Sequence, residues 1–175
     1  MEVGFQLSYL AVLGIIVLYP IVNRQFTVKN KFIKPIWDIT SVSIAAQIAT
    51  FPLGLLYFHQ FPNYFIFSNL LVIPLSGIIL YTGIIASVFY LIPLIQFLMV
   101  YLIELLIYIL NSTVSFIEKL PYALMEGISI TILEATLLYL ILVFWLFWYR
   151  TSRPVYIKWM LLFAVLICYL QIAEN

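Results

Sequence analysis

The residues of this chain that could do chemistry include two carboxylates placed inside long apolar runs. Glu104 and Glu134 are flanked mostly by large apolar residues. A carboxylate within a membrane is costly and is therefore a candidate functional group, for example a proton carrier. A protonated side chain that donates a structural hydrogen bond is the alternative, because burial disfavours the charged form. Both interpretations stay open for both acids.

The remaining chemistry-bearing residues are too few for a metal site or a catalytic set. The chain has one histidine, one aspartate and one cysteine, which are His59, Asp38 and Cys168. A Cys/His zinc site takes about four ligands, so it is nearly excluded. No glycine-rich phosphate loop and no Gly-x-Ser-x-Gly motif is present. We therefore expect no catalytic residue, no metal ligand, no cofactor and no enzymatic activity.

Lys34 lies four positions before Asp38, which predicts a local ion pair.

The elements that position these residues must be membrane helices. Of the 175 residues, 66% are hydrophobic and 9% are charged. Soluble domains are about half apolar and about a quarter charged. The composition predicts an all-α, polytopic membrane bundle in a single transmembrane domain that covers residues 1–175, with the lipid bilayer as its solvent.

Apolar runs between charge clusters predict about six membrane spans, since a spanning helix needs about 20 mostly apolar residues. They lie approximately at Phe5–Val22, Ile36–Phe58, Tyr64–Ile92, Leu94–Leu110, Ile128–Tyr149 and Trp159–Ile172.

Basic residues define the expected orientation. Two loops, at about 23–35 and 150–158, hold seven of the eight Lys and Arg residues. Such loops are usually cytoplasmic. The loops at about 59–63 and 111–127 are then external, and both termini lie on the external, periplasmic side.

The third span and the segment after the fourth are expected to be irregular. The third run has about 29 residues and would exceed 40 Å, against a hydrocarbon core of about 30 Å. Pro74 lies inside it, so we expect a kinked or broken helix, with a tilted continuous helix as the alternative. Past the fourth span, Ser112 or Thr113 could cap a short interfacial amphipathic helix that ends at Pro121.

Two spans carry a polar face. On the second span, residues at spacings of three and four predict either a close helix–helix contact with hydroxyls bonding across it, or the lining of a hydrated path. These are Thr40, Ser43, Gln47, Thr50 and Gly54. On the fourth span the same rule joins Glu104, Tyr108, Asn111, Ser115 and Glu118.

Specific strings add a family resemblance. The string VGFQLSYLAVLGI at 3–15 and the string SIAAQIATFPLGLLYFHQFPNYFIFSNLLVIPLSGIILY at 43–81 resemble two signatures of bacterial competence DNA-internalisation channels of the ComEC type. The string FIEKLPYALMEGISITILEATLLYLILV at 116–143 is more loosely similar to a later region of the same family.

The resemblance implies a part in natural transformation. Members of the family pass single-stranded DNA through the bacterial inner (plasma) membrane. This chain resembles the C-terminal part of their competence membrane domain, and the family's zinc-nuclease motif has no counterpart in it. The expected partners are single-stranded DNA, the missing N-terminal half of the channel and other competence proteins, with a homo-oligomer as a further option.

The resemblance also suggests which residues lie in the translocation path or its packing. These are Gln6, Gln47, His59, Asn69 and Pro74. Two alternatives stay open, which are a small-solute or proton-coupled transporter subunit that uses Glu104, and a scaffolding or non-functional membrane fragment.

Overall fold

Six long helices dominate the computed structural model, which describes residues 2–174. In chain order the elements are α1 Val3–Asn23, α2 Ile33–Phe58, β1 Gln60–Pro62, α3 Phe65–Val88, α4 Pro93–Glu118, β2 Leu124–Glu126, α5 Ile132–Thr151 and α6 Pro154–Glu174. All six helices are long and apolar enough to cross a membrane. The prediction of an all-α bundle with six spans is confirmed.

Helix α2 is the centre of the bundle. It packs against α1, α3 and α5, while α4 packs on α3 and α6 packs on α5. The α1–α2 contact is close because a Cβ atom on Gly14 would collide with the Cβ of Ala49 and lie 2.8 Å from the carbonyl oxygen of Ala45. Helix α5 is tied to α2 by the Tyr139 hydroxyl, which donates to the carbonyl oxygen of Ala49 over 3.1 Å.

A small antiparallel sheet joins two connections that are distant in sequence. Strand β1 follows α2 and pairs with β2, in the register Gln60 with Glu126, Phe61 with Met125 and Pro62 with Leu124. The Asn63 side chain extends the pairing by donating to the carbonyl oxygen of Tyr122 over 2.7 Å. The α2–α3 and α4–α5 connections therefore lie at the same end of the bundle, as alternating crossings require.

Helix α3 is not divided at Pro74. It runs unbroken from Phe65 to Val88, so the broken-helix expectation is wrong, whereas a kink at Pro74 stays a prediction. The physical reason is that the apolar run is interrupted elsewhere, since the chain turns after Val88 and α4 begins at Pro93. A helix of 24 residues is about 36 Å long and fits the bilayer with a modest tilt.

The predicted interfacial helix is also absent as a separate element in the described chain. Residues 112–118 continue α4 to Glu118. The hydroxyl of Thr113 donates to the carbonyl oxygen of Ile109 over 2.8 Å, which is a bond made inside a helix and not at an N-cap.

The α5–α6 connection is shorter than the sequence suggests. It consists of Ser152 and Arg153, because Ser152 turns the chain with a positive φ of 53° and Pro154 starts α6. Arg150 and Lys158 of the predicted basic loop are therefore helical.

Candidate functional site: a cleft around Gln47

Gln47, in the middle of α2, lines three cavities that open around it. We name them by the helix that completes each one. The α5 cavity has a volume of about 350 Å³, the α1 cavity about 280 Å³ and the α4 cavity about 420 Å³. Because Gln47 borders all three, its amide is placed to hydrogen-bond with an occupant of any of them. We call the three cavities together the Gln47 cleft.

The α4 cavity is the polar part of the cleft. Along with Gln47 it is lined by Tyr64, Ser68 and Asn69 from the start of α3 and by Glu118 from the end of α4. Two residues that the sequence predicted for the path, Gln47 and Asn69, are thereby brought to one cavity. The α5 cavity is apolar apart from Gln47, with Ile48, Phe65 and Leu142 among its walls.

Residues of the β1–β2 sheet separate the cavities. Phe61 borders the α5 and α1 cavities, while Pro62 and Leu124 border the α1 and α4 cavities. The Phe61 ring lies edge-on to Phe51 of α2 at 5.6 Å and to Phe65 of α3 at 6.1 Å, measured between ring centroids. These aromatic contacts hold the sheet between α2 and α3.

The other three predicted path residues lie outside the cleft. Gln6 on α1 accepts a hydrogen bond from the Tyr57 hydroxyl over 3.3 Å. His59 is exposed and ends α2 in the left-handed region, with φ 55°. Pro74 is exposed on α3. Phe61 and Leu124 are among the cleft residues that the sequence interpretation missed, because a pairing between two distant three-residue strands leaves no local sequence pattern.

The polar face of α2 has two roles, since its hydroxyls bond within the helix and part of it borders the Gln47 cleft. The hydroxyls of Thr40, Ser43 and Thr50 each donate to the carbonyl oxygen four residues earlier in their own helix. The expectation that hydroxyls bond across a helix contact is therefore wrong, since a Ser or Thr hydroxyl within a helix reaches the preceding turn. Thr50 and Gly54 nevertheless line the α1 cavity next to Gln47, so part of this face borders the cleft.

The two intramembrane acids have different surroundings. Glu134 is fully buried and forms a capping box with Thr131, whose backbone N–H donates to the carboxylate over 2.7 Å. Glu104 is exposed on α4. The surroundings of Glu134 favour its structural interpretation.

Asp38 is held by α1 and does not pair with Lys34. Its carboxylate accepts from the Asn23 amide over 2.8 Å and from the Tyr19 hydroxyl over 3.5 Å. The predicted local ion pair is therefore wrong. The close α1–α2 contact brings polar groups of α1 to this carboxylate, which a search within one helix does not reveal.

The side chains that commonly bind metal ions are dispersed within residues 2–174. Within that range no three His, Cys, Asp or Glu side chains lie together in a way that could hold a metal ion.

Comparison with known proteins relates the chain to a family. No curated protein and no solved structure matches the chain. A family model described as competence protein matches residues 1–153, which is most of the 175-residue chain. The six spans and the signature strings agree with this match, and the chain belongs to the competence protein family.

Proposed function

We propose that the chain forms part of an inner-membrane channel that passes single-stranded DNA during natural transformation. The observation that carries the proposal is the meeting of three cavities at Gln47, in a membrane bundle of the competence family. A strand that crosses the membrane needs polar partners at depth, and Gln47 and Asn69 are available there.

The chemistry of the cleft suits weak, sequence-independent contact. The amides of Gln47 and Asn69 can donate to and accept from bases or sugar–phosphate oxygens. Phe61 and Tyr64 supply ring faces of the kind on which unpaired bases stack. Within residues 2–174 no Lys or Arg lines the three cavities. A passage that conducts has to release its cargo, so the lack of strong phosphate ligands is compatible with transport.

A passage through the cleft needs a rearrangement of the sheet. The three cavities are separated by Phe61, Pro62 and Leu124, which belong to strands of three residues each. A two-stranded ribbon of this size is only marginally stable by itself. We therefore propose that conduction involves displacement of β1 from β2.

The polar face of α4, which we call its polar stripe, indicates a larger assembly. The stripe consists of Glu104, Tyr108, Asn111, Ser115 and Glu118. Glu104 and Tyr108 are exposed, and the stripe continues to Glu118 in the α4 cavity. From Glu104 to Glu118 the stripe covers about 21 Å along the helix. Polar side chains at membrane depth normally face protein or water and not lipid. We propose that other channel segments or a second copy of this chain cover the stripe, and that the basic connections face the cytoplasm.

The test uses a transformable host that carries the gene. We expect that deletion abolishes transformation while surface DNA binding stays intact. Gln47→Leu replaces the side chain by one of similar volume and removes the amide. It should lower the transformation frequency by at least tenfold, the equivalent of about 1.4 kcal/mol. Gln6→Leu is the matched control outside the cleft and should retain most activity. Unchanged transformation in the deletion strain would exclude the proposal.

A coupled transporter is the second candidate, favoured by the position of Glu104. This carboxylate lies about 17 Å along α4 from Pro93, near the middle of the helix, and its side chain is exposed. If it carries protons, Glu104→Gln should abolish pH-dependent solute uptake by the reconstituted chain. The same variant should leave transformation unaffected.

A further inference from the structure

A fourth cavity lies at the other end of the bundle from the β1–β2 sheet. It has a volume of about 310 Å³ and sits at the turn between α1 and α2. Its walls include Asn23, Arg24, Phe26, Lys34, Trp37 and Asp38. None of its lining residues borders the Gln47 cleft. We call it the turn cavity.

The charges of the turn cavity favour an anionic ligand. Arg24 directly follows α1, and Lys34 is in the first turn of α2. Within residues 2–174 neither side chain is engaged in an ion pair with a carboxylate. The acid in the wall, Asp38, already accepts from Asn23 and Tyr19. The side chains of Arg24 and Lys34 therefore remain available to donate to a ligand.

The rest of the wall is held in place by contacts within the protein. The indole N–H of Trp37 donates to the carbonyl oxygen of Asn23 over 3.1 Å. The Phe26 ring packs edge-on against Trp37, with centroids 5.0 Å apart and an interplanar angle of 84°. These contacts fix the aromatic side of the cavity before any ligand enters, which lowers the cost of ordering on binding.

We propose that the turn cavity binds the phosphate group of an anionic membrane lipid. It lies at the ends of two membrane spans, the level at which lipid phosphates are found and at which tryptophan is enriched. A guanidinium group can donate two parallel hydrogen bonds to phosphate oxygens, and a lysine adds a point charge. Basic pockets between transmembrane helices bind lipid head groups by this chemistry.

A lipid fits the turn cavity better than the transported strand does. The cavity is separate from the Gln47 cleft, and the close Gly14–Ala45 contact packs α1 against α2 between the two ends of the bundle. Phe26 and Trp37 offer an apolar side to which an acyl chain or glycerol backbone can pack, beside the cationic side formed by Arg24 and Lys34.

The experiment measures binding of phosphatidylglycerol to the purified full chain in neutral detergent, by native mass spectrometry. In Arg24→Gln/Lys34→Gln the dissociation constant should rise by roughly fivefold for each charge removed. The matched control, Lys29→Gln/Lys31→Gln, removes the same charge from the same turn outside the cavity wall. Neither Lys29 nor Lys31 lines the cavity, and solvent screens charges that do not contact the ligand, so the dissociation constant of this control should change by less than about twofold. Arg24→Lys/Lys34→Arg keeps the charge and should keep binding, which also shows that changes at these positions allow folding.

Three results would overturn the assignment. Equal weakening in both Gln variants would mean diffuse attraction by the basic turn and no built site. Inorganic phosphate that displaces the lipid at equal concentration would assign the cavity to a free anion. Displacement of the lipid by a short single-stranded oligothymidylate would assign it to DNA. Phosphatidylcholine with the same acyl chains should bind more weakly than phosphatidylglycerol.

Discussion

The side-chain amide N–H of Gln171 in α6 donates a hydrogen bond to the carboxylate of Glu134 in α5 over a distance of 2.9 Å. The same carboxylate closes the capping box at the start of α5, so one buried group caps a helix and ties the last two helices together. A buried carboxylate that accepts several hydrogen bonds is well compensated for the loss of water. This arrangement favours the structural interpretation of an acid that lies in an apolar segment.

Glu134→Gln should destabilise the chain. The amide replaces one of the two accepting oxygens by a donor, which leaves a bond to Thr131 or Gln171 unmade. We expect a loss of about 1–2 kcal/mol in the free energy of unfolding. Thermal unfolding in detergent measures it, and Glu104→Gln is the matched control because Glu104 is exposed. Equal stability of the two variants would contradict the structural role of Glu134.

Gly14→Ala should loosen the contact between α1 and α2. The added methyl group would collide with Ala49 and the backbone of Ala45, and overpacking of this kind costs about 1–3 kcal/mol. Gly83→Ala makes the same change on α3, where no atom beyond the adjoining residues and the nearby backbone of the same helix lies within 4 Å of the added group. At that position the substitution should leave the stability unchanged or raise it, because alanine has a better helix propensity than glycine. Thermal unfolding of the pair separates the two effects, and a stable Gly14→Ala chain would refute the close approach.

Much of the fold could be predicted from the sequence, because membrane spans are specified by apolar length. The six spans follow from this rule, and their ends shift by a few residues where prolines start helices, as at Pro93 and Pro154. Pro74 lies inside α3 and does not end it. One missing backbone donor does not divide a helix whose remaining hydrogen bonds are intact.

The candidate site could be predicted only in part. Gln47 and Asn69 stand out because amides are rare in apolar runs, and the structure brings them to one cavity. The partners of Asp38 and the strand pairing of Phe61 depend on contacts between distant segments, which periodicity within one element does not encode. Gly14 of α1 and Ala45 and Ala49 of α2 carry a readable signal of small residues, but the two alanines lie on a different face of α2 from the polar residues.

A disulfide between β1 and β2 should form at one register and not at its neighbour. Gln60 and Glu126 are direct partners, and antiparallel partners have Cα atoms about 4.5–5.5 Å apart, within disulfide range. Gln60→Cys/Glu126→Cys in a Cys168→Ser background should therefore oxidise readily. Gln60→Cys/Met125→Cys should not, because adjacent side chains in a strand point to opposite faces. Mass spectrometry of proteolytic peptides detects the crosslink.

The same crosslink tests whether the strands separate during uptake. If conduction displaces β1 from β2, the oxidised Gln60→Cys/Glu126→Cys chain should lose transformation, and a thiol reductant should restore it. Each single-cysteine variant should behave as the parent under both conditions. Full activity of the oxidised chain would show that the sheet stays closed, without bearing on whether the chain transports DNA.

Water in the Gln47 cleft can be probed with a single cysteine. Asn69 lines the polar α4 cavity. Ile73, one turn further along α3, is exposed on the outer surface of the helix, where the bilayer would cover it with lipid and not water. In a Cys168→Ser background, Asn69→Cys should react with a membrane-impermeant maleimide at least about tenfold faster than Ile73→Cys in intact vesicles. The reason is that only a hydrated thiol ionises to the reactive thiolate. Both variants should label equally after denaturation in detergent, which controls for the amount of protein. Equal slow labelling in vesicles would mean that the cleft is dry, and a polar passage through Gln47 and Asn69 would then be excluded for the resting chain.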